Sequence, residues 1–328
     1  MPETMSFLVP PEADGERLDK WLSRQDSLGL TRSSLQNRME HGDVTVNGRT
    51  VSKNYRQKAG DTILVTLPEP ESLELQPENI PLDIVYEDEN LILLNKRPGM
   101  VVHPDDHERV NTLITHIQAY LYQKKEWSPY WENSFAPALC NRIDRNTGGI
   151  VIAAKNAETL RIMNEKIKAH EVEKSYLCIT VGRPKPAEGK IEGFLLKDEA
   201  KKQVAFYHRP VPGGKTAVTL YRTLETRGPL SLVECRLLTG RTHQIRVSMA
   251  EIGCPLLGDG KYGRGDVNRR YGETRQALYS YQLSFPFPTD AGALNYLRDR
   301  TFTVAEGPFR DKYFPAPRTG ENPAVKGR

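Results

Sequence analysis

The sequence predicts an α+β protein, with a mixed, mostly antiparallel sheet preceded by a small helix-and-hairpin unit. Three observations carry this expectation. Across residues 82–304 strand-like apolar runs outnumber helical ones, and they come as strand–strand–helix groups instead of strict alternation, which disfavours a doubly wound parallel sheet. Residues Pro68 to Pro81, P-E-P-E-S-L-E-L-Q-P-E-N-I-P, are rich in Pro and Glu, lack periodicity and divide the chain. Ahead of them, Asn47-Gly48 lies between Val44-Thr45-Val46 and Arg49-Thr50-Val51, a strong signal for a two-residue hairpin turn. The expected organisation is a first domain at 1–70, a linker at 71–81, a main domain at 82–304 and a partly disordered C-terminal tail at 305–328.

Composition narrows the class. A chain of 328 residues can hold two hydrophobic cores. A net charge of +4 and a pI near 8.7 exclude an acidic solvating protein but do not by themselves establish a nucleic-acid partner. The four cysteines, at 140, 178, 235 and 254, form no C-x-x-C pair and read as reduced core thiols, not as a zinc or disulfide framework. Met1 to Pro10 lacks the basic start and apolar block of a signal peptide, and no apolar run approaches the roughly 20 residues of a membrane span. A cytoplasmic protein with no membrane partner is expected, acting as a monomer.

In the first unit, Leu18, Trp21 and Leu22 stand at i, i+3, i+4 and predict a short helix over about Gly15 to Gln25. A second helix opens on Thr31 as N-cap, carries Leu35 and Met39, and stops at Gly42. The hairpin follows, and Ile63-Leu64-Val65 closes the unit as a strand. Between Arg17 and Lys58, nine Lys or Arg face four Asp or Glu. Arg32, Gln36, Arg38, Arg49, Lys53 and Arg56 gather around the second helix and hairpin, the footprint of an RNA-phosphate surface or simply of a solvated basic face.

The main domain opens with Asp83–Tyr86 and Leu91–Leu94 as a hairpin across Glu87-Asp88-Glu89-Asn90. Lys96-Arg97-Pro98-Gly99 turns the chain into Val101-Val102-His103-Pro104, where His103 reads as structural more readily than as a base. Thr112 to Tyr122 has helical spacing, and Lys124 to Pro137, with Trp127, Tyr130 and Trp131, is an aromatic loop suited either to covering a cleft or to packing. A helix is expected at Ala157–Ala169, and strands at Glu173–Gly182, Ala217–Leu224, Leu230–Leu238, Ala277–Phe285 and Thr301–Val304. Within Thr239–Gly253, T-G-R-T-H-Q-I-R-V-S-M-A-E-I-G, a turn leads into a helix with Ile245, Met249 and Ile252 as apolar positions.

The stretch Ala138 to Lys155, A-L-C-N-R-I-D-R-N-T-G-G-I-V-I-A-A-K, holds the best candidate for chemistry. Asp144 sits between Arg142 and Arg145, ahead of a turn at Asn146–Gly149 and the apolar run Ile150–Ala154. A carboxylate on a loop feeding a buried strand is rigid yet reachable, and the guanidinium groups favour its ionised form and offer phosphate anchors. Taken alone, the triplet equally describes a surface salt-bridge cluster.

Two resemblances extend this reading. L-T-R-S-S-L-Q-N-R-M-E-H-G-D-V-T-V-N-G-R-T-V resembles the alpha-L RNA-binding motif shared by a ribosomal small-subunit protein and many RNA-modifying enzymes. The likeness implies RNA contacts from Arg32, Ser33, Gln36 and Arg38. The strings N-R-I-D-R-N-T-G-G, K-S-Y-L-C-I-T-V-G and T-G-R-T-H-Q-I-R-V-S-M, followed by G-C-P-L-L-G-D-G-K-Y-G, resemble pseudouridine synthases of the large-subunit rRNA (RluA) type. So do L-L-N-K-R-P-G-M-V-V-H-P and Q-A-L-Y-S-Y-Q-L-S-F-P, over about Asp83 to Val304. The family usually carries His, Leu and Ser where this chain has Asn141, Ile143 and Gly148, and often His at Ser248; its Arg-x-Asp core is kept.

The resemblance implies the pseudouridine synthase fold and isomerisation of uridines in structured RNA, with large-subunit rRNA favoured and tRNA the other substrate. Asp144 would be the reacting carboxylate, Arg246 its partner, and Tyr176 would stack on the base. Arg142 would fill the space left by the flipped nucleotide or hold a phosphate. Arg241 and His243 would shape their loop, with Arg241 lending a contact to RNA. Lys96 and the pair Lys201-Lys202 are candidate phosphate contacts. The chemistry agrees: breaking the bond at the anomeric carbon requires a carboxylate to meet oxocarbenium character, by attack or by charge, and involves no redox change, so no cofactor or metal is expected. The alternatives are a non-catalytic RNA-binding or ribosome-assembly factor that kept the fold, and an Asp-dependent hydrolase, for which no second carboxylate is evident.

Overall fold

The computed structural model describes residues 3–28, 30, 32–67, 81–105, 108–129, 135–198, 203–305 and 307–315. Its N-terminal unit consists of strand β1 (Glu3–Leu8), helices α1 (Leu18–Leu22) and α2 (Arg32–His41), and strands β2 (Val44–Val46), β3 (Arg49–Thr50) and β4 (Thr62–Leu67). The four strands form one sheet in the order β1-β4-β2-β3. Asn47 and Gly48 both take positive φ, 49° and 74°, as a tight hairpin with the strand twist demands. Leu18, Leu22, Leu35, Val44, Ile63 and Val65 are fully buried and form its core. Strand β1 was not expected: only Met5 and Phe7 turn inward from it, too short an alternation to read, and its backbone bonds to β4 supply the stability. Helix α1 is shorter than its apolar spacing suggests, and the expected N-cap Thr31 lies outside the described residues.

The main domain is built on an eleven-stranded sheet. In chain order its elements are β5 (Ile84–Glu87), β6 (Leu91–Lys96), α3 (Leu113–Gln123), β7 (Ala138–Leu139), β8 (Gly148–Ala154), α4 (Ala157–Lys168), β9 (Glu173–Val181), β10 (Glu188–Asp198), β11 (Gln203–Tyr207), β12 (Lys215–Arg227), β13 (Leu230–Leu237), α5 (Gln244–Glu251), α6 (Gly265–Tyr271), β14 (Leu278–Phe285), β15 (Arg300–Thr303) and α7 (Pro308–Tyr313). The strand order is β11-β10-β12-β13-β9-β14-β8-β6-β5, with β15 on β14 and β7 on β8. Among the described pairs β14 and β8 alone run parallel, so the sheet is mixed and mostly antiparallel.

Both faces of the sheet's centre are covered, which is why β8 is buried at every residue and reads as an unbroken apolar run. On one face Ile92, Leu94, Val151 and Val233 pack with Ile245 and Met249 of α5; on the other, Leu91, Leu93, Ile150 and Ile152 pack with Leu160 and Met163 of α4. Alternate residues of β6 and β8 thus serve different cores, as the two-residue strand period requires. Strands β10 and β11 and helix α6 were not anticipated. In β10 the charges Glu188, Lys190 and Glu192 alternate with a Gly-broken apolar set, which masks the pattern. The first part of the C-terminal segment holds α7, with Phe309 and Phe314 buried against Leu177, Ile179 and Tyr279.

Candidate active site

Asp144 lies on the loop joining β7 to β8, and that loop is tied at several points. The Thr147 amide donates to the Asp144 carbonyl at 3.0 Å. The Asn141 side-chain oxygen accepts from the Ile152 amide at 2.8 Å. Lys96 reaches under the loop from β6: its ammonium donates to the carbonyls of Arg97, Met100 and Arg145 at 3.1, 2.9 and 3.0 Å. Lys96 is 1 % exposed, so it is an internal brace and not the RNA contact expected from sequence. Burial pushes its pKa down to about 7, against the pull of the Asp144 charge.

The partner of Asp144 comes from the other half of the domain. The Gln244 side chain braces the turn before α5, accepting from the Arg241 amide at 3.0 Å and the Thr239 hydroxyl at 2.8 Å and donating to the Val218 carbonyl at 3.0 Å. His243 adopts a left-handed φ of 56° and starts the helix at Gln244. From α5, Arg246 donates through Nη1 to Asp144 Oδ2 at 2.8 Å. Its Nε and Nη2 donate to the two oxygens of Asp259 at 2.7 and 2.9 Å. The guanidinium therefore bridges two carboxylates, one buried and one, Asp144, with a side chain still 26 % exposed. Among the described residues nothing hydrogen-bonds the second oxygen of Asp144.

In the sequence Asp259 stands within G-D-G-K-Y-G, where no local signal distinguishes it from a turn residue. Its Oδ1 also accepts from the amides of Lys261 and Tyr262 at 2.8 and 3.1 Å. Burial pushes its carboxyl up, and the Arg246 guanidinium outweighs this, leaving it below the usual carboxylate range. The Tyr262 ring lies 5.2 Å from the Arg246 guanidinium, and its hydroxyl is 2.8 Å from His243 Nδ1. His243 Nε2 in turn lies 3.8 Å from Asp144 Oδ2. Burial pushes the His243 imidazole down, outweighing the attraction of Asp144.

These groups open onto a cleft of about 460 Å³ lined by Arg142, Asp144, Tyr176, Arg241, His243 and Arg246. Tyr176 sits on β9 between β13 and β14, opposite Cys235 and Ser280, and is 6 % exposed. Burial pushes its phenol up to about 12, so it stays protonated near neutrality. Arg142 is exposed at the cleft wall, while Arg241 is held by a bond from Nε to the Thr216 carbonyl at 3.0 Å. Five of the ten expected site residues thus converge on one cavity. Trp127 is core and not a cleft cover; Tyr130, Trp131, Lys201 and Lys202 lie outside the described residues.

The expected contacts in the N-terminal unit divide differently. Arg32 Nε and Gln36 Nε2 donate to Oδ2 of the buried Asp19 at 2.8 and 2.5 Å, beside a bidentate pair from Arg17. Gln36 is therefore committed internally, and Arg32, with a side chain 47 % exposed, keeps only part of its guanidinium for a ligand. Arg38 is half-buried with its Nη1 4.0 Å from Asp43. Nothing is described for the Ser33 side chain.

The positions that depart from the family pattern have structural correlates. A side chain at Gly148 would place its Cβ 2.3 Å from the Tyr279 ring, so glycine there accompanies tyrosine at 279. Ile143 is core, and the Ser248 hydroxyl is buried without a hydrogen-bond partner among the described residues.

Comparison with known proteins agrees with this architecture. Residues 90–251 match the family model described as RNA pseudouridylate synthase, and residues 16–63 match the S4 domain. The chain is 35 % identical to the uncharacterized RNA pseudouridine synthase YlyB of Bacillus subtilis, covering 84 % of this chain and 88 % of that protein. It is 32 % identical to the ribosomal large subunit pseudouridine synthase D of Zymomonas mobilis, covering 89 % and 93 %. Among solved structures, human RNA pseudouridylate synthase domain containing 4 superposes with a TM-score of 0.54 at 22 % identity, over 69 % of this chain and 89 % of that one, which supports the fold.

Proposed function

The chain belongs to the RNA pseudouridine synthase family, an S4 domain preceding the synthase domain, and from that premise we propose how its cleft isomerises uridine. Asp144 is the reacting carboxylate. Its oxygen meets the anomeric carbon of the target nucleotide, either bonding to it or facing the oxocarbenium ion, as the bond to uracil N1 breaks and the base leaves with the electron pair. The base turns, its C5 bonds to the anomeric carbon as the carboxylate is released, the proton on C5 is lost and N1 takes up a proton, so that the product is an isomer of uridine. Electrons balance without an oxidant. Arg246 fixes the orientation of Asp144, Tyr176 stacks on the everted base, and Arg142 occupies the cleft mouth where the strand re-enters.

The observation that carries this reading is the 2.8 Å ion pair from Arg246 to Asp144 inside a cleft of about 460 Å³ that also contains Tyr176. A cavity of that size accommodates one nucleotide. The favoured substrate is large-subunit ribosomal RNA, with transfer RNA second. An S4 domain suits a large folded RNA, and the Zymomonas mobilis relative is named for that subunit. No helix among the described residues is long and apolar enough to cross a membrane, and the four free cysteines are buried. Cytoplasmic action on RNA is consistent with both.

Site-resolved pseudouridine mapping of total RNA tests this directly. Cells lacking the gene should lose modification at specific uridines, and the unaltered gene should restore it. Asp144→Asn should restore nothing while binding RNA as tightly as the parent. A full set of modifications in the deleted cells would overturn the reading.

A further inference from the structure

Two exposed arginines outside the cleft, Arg145 and Arg275, converge on one backbone turn. Arg145 Nε donates to the Gly99 carbonyl at 3.2 Å, and Arg275 Nη1 lies 3.4 Å from the Pro98 carbonyl. The Arg275 guanidinium lies so close to Gly99 that a Cβ there would meet its Nη1, Cζ and Nη2 at 3.2, 3.3 and 3.4 Å. Gly99 also has a φ of +97°, so only glycine serves both the turn and the stacked guanidinium. The platform is rigid from below, because the Lys96 ammonium binds the carbonyls of Arg97, Met100 and Arg145.

Each arginine spends one N–H on this turn and, among the described residues, its side chain makes no other hydrogen bond. Neither makes an ion pair with a carboxylate among the described residues. Glu108, whose pKa Arg145 helps to lower, is engaged with the amides of Asn111 and Val110 at 2.8 and 3.1 Å. Two like charges fixed against one turn repel, and an anion between them relieves the repulsion. Planar guanidinium forks suit a phosphate in this role. Position defines which phosphate, since Arg145 follows Asp144 directly in the chain.

We propose that Arg145 and Arg275 form a two-pronged clamp for one backbone phosphate of the RNA strand beside the everted nucleotide. The proposal rests on the RNA-isomerase reading and assigns that site an anchor outside the catalytic cleft. It explains why a turn, a brace and two arginines are built together at a point that touches no reacting atom.

The test measures affinity for a defined single-stranded, uridine-containing RNA across a series of KCl concentrations, for the parent and for Arg145→Gln, Arg275→Gln and the double variant. Loss of one phosphate contact lowers the slope of log K against log salt by about 0.7. Both single variants and the double should show the same single step, because the two prongs grip one phosphate. Unchanged slopes, or two additive steps in the double variant, would overturn the clamp. Inorganic phosphate at constant ionic strength should weaken RNA binding by the parent more than by the double variant, and equal weakening would also overturn the clamp. Asp144→Asn should keep the parental slope. Failure of the parent to modify any uridine counts against the isomerase reading, whereas salt slopes unmoved in an active parent count against the clamp alone.

Discussion

At the scale of single residues, the site is organised by a cation shared between two carboxylates. Arg246 touches both Asp144 and Asp259, but only the second contact is bidentate and fully enclosed. Asp259→Asn should leave the fold intact, because the amide still accepts from the Lys261 and Tyr262 backbone, and should free the guanidinium to rotate. A displacement of about 1 Å at the reacting group costs about 10²-fold in rate. Single-turnover measurements should show the loss in the chemical step, with RNA affinity unmoved; a loss confined to affinity would remove Asp259 from this positioning role. Lys96 acts differently. Replacing it by Met strands three inward carbonyls, with an expected cost of about 2–4 kcal/mol. Thermal unfolding should register a fall of about 10 °C, far more than an exposed RNA-contacting lysine would give.

Elements were legible where one periodicity persisted and obscure where tertiary partners supplied the stability. The apolar stripes of α3 and α4 and the runs of β8 and β9 announce themselves because each buries one face, or both, in the large cores. Strand β1 forms by pairing with β4, and β10 and β11 are an edge pair whose exposed charges alternate with their buried residues. Asp144, Tyr176 and Arg246, which line one cleft, each sit in a motif legible in the sequence; Asp259 does not stand out there, since a Gly-flanked aspartate reads as a turn. The small unit shows how a side chain read as ligand-facing can be structural. Asp19, with no exposed surface, gathers Arg17, Arg32 and Gln36. Burial pushes its carboxyl up, but these donors outweigh it and bring it to about 2. Because the folded pKa lies below the unfolded value near 3.8, this stabilisation is complete above pH 4 and is lost as pH falls towards 2. It amounts to roughly 2 kcal/mol. Asp19→Asn should flatten the acid limb of unfolding followed through Trp21, which is buried in the same unit. An unchanged limb would mean the cluster contributes little to holding α1 on α2.

At the scale of the whole molecule, the two sheets share no strand and each encloses its own core. The proposed catalytic cluster is drawn entirely from residues beyond the N-terminal unit, and Arg246 within it joins Asp144 to Asp259. That separation argues that the S4 unit contributes grip and not chemistry. It carries an excess of five positive charges between Arg17 and Lys58, counting nine Lys or Arg against four Asp or Glu. With Arg32 and Gln36 bonded to Asp19, the surface left for RNA shifts towards the hairpin, where Arg49 is exposed. A second module tethered to the first multiplies affinity by about 10²–10⁴ without touching the reacting atoms. A chain beginning at Pro81 should therefore unfold at the temperature of the parent's main domain and convert a short saturating RNA at close to the parental rate, while binding its full-length RNA at least about 10²-fold more weakly. Its salt dependence should be shallower in proportion to the phosphate contacts removed. A collapse of the single-turnover rate at saturation would show instead that the S4 unit completes the cleft, and division of labour between the two sheets would have to be abandoned.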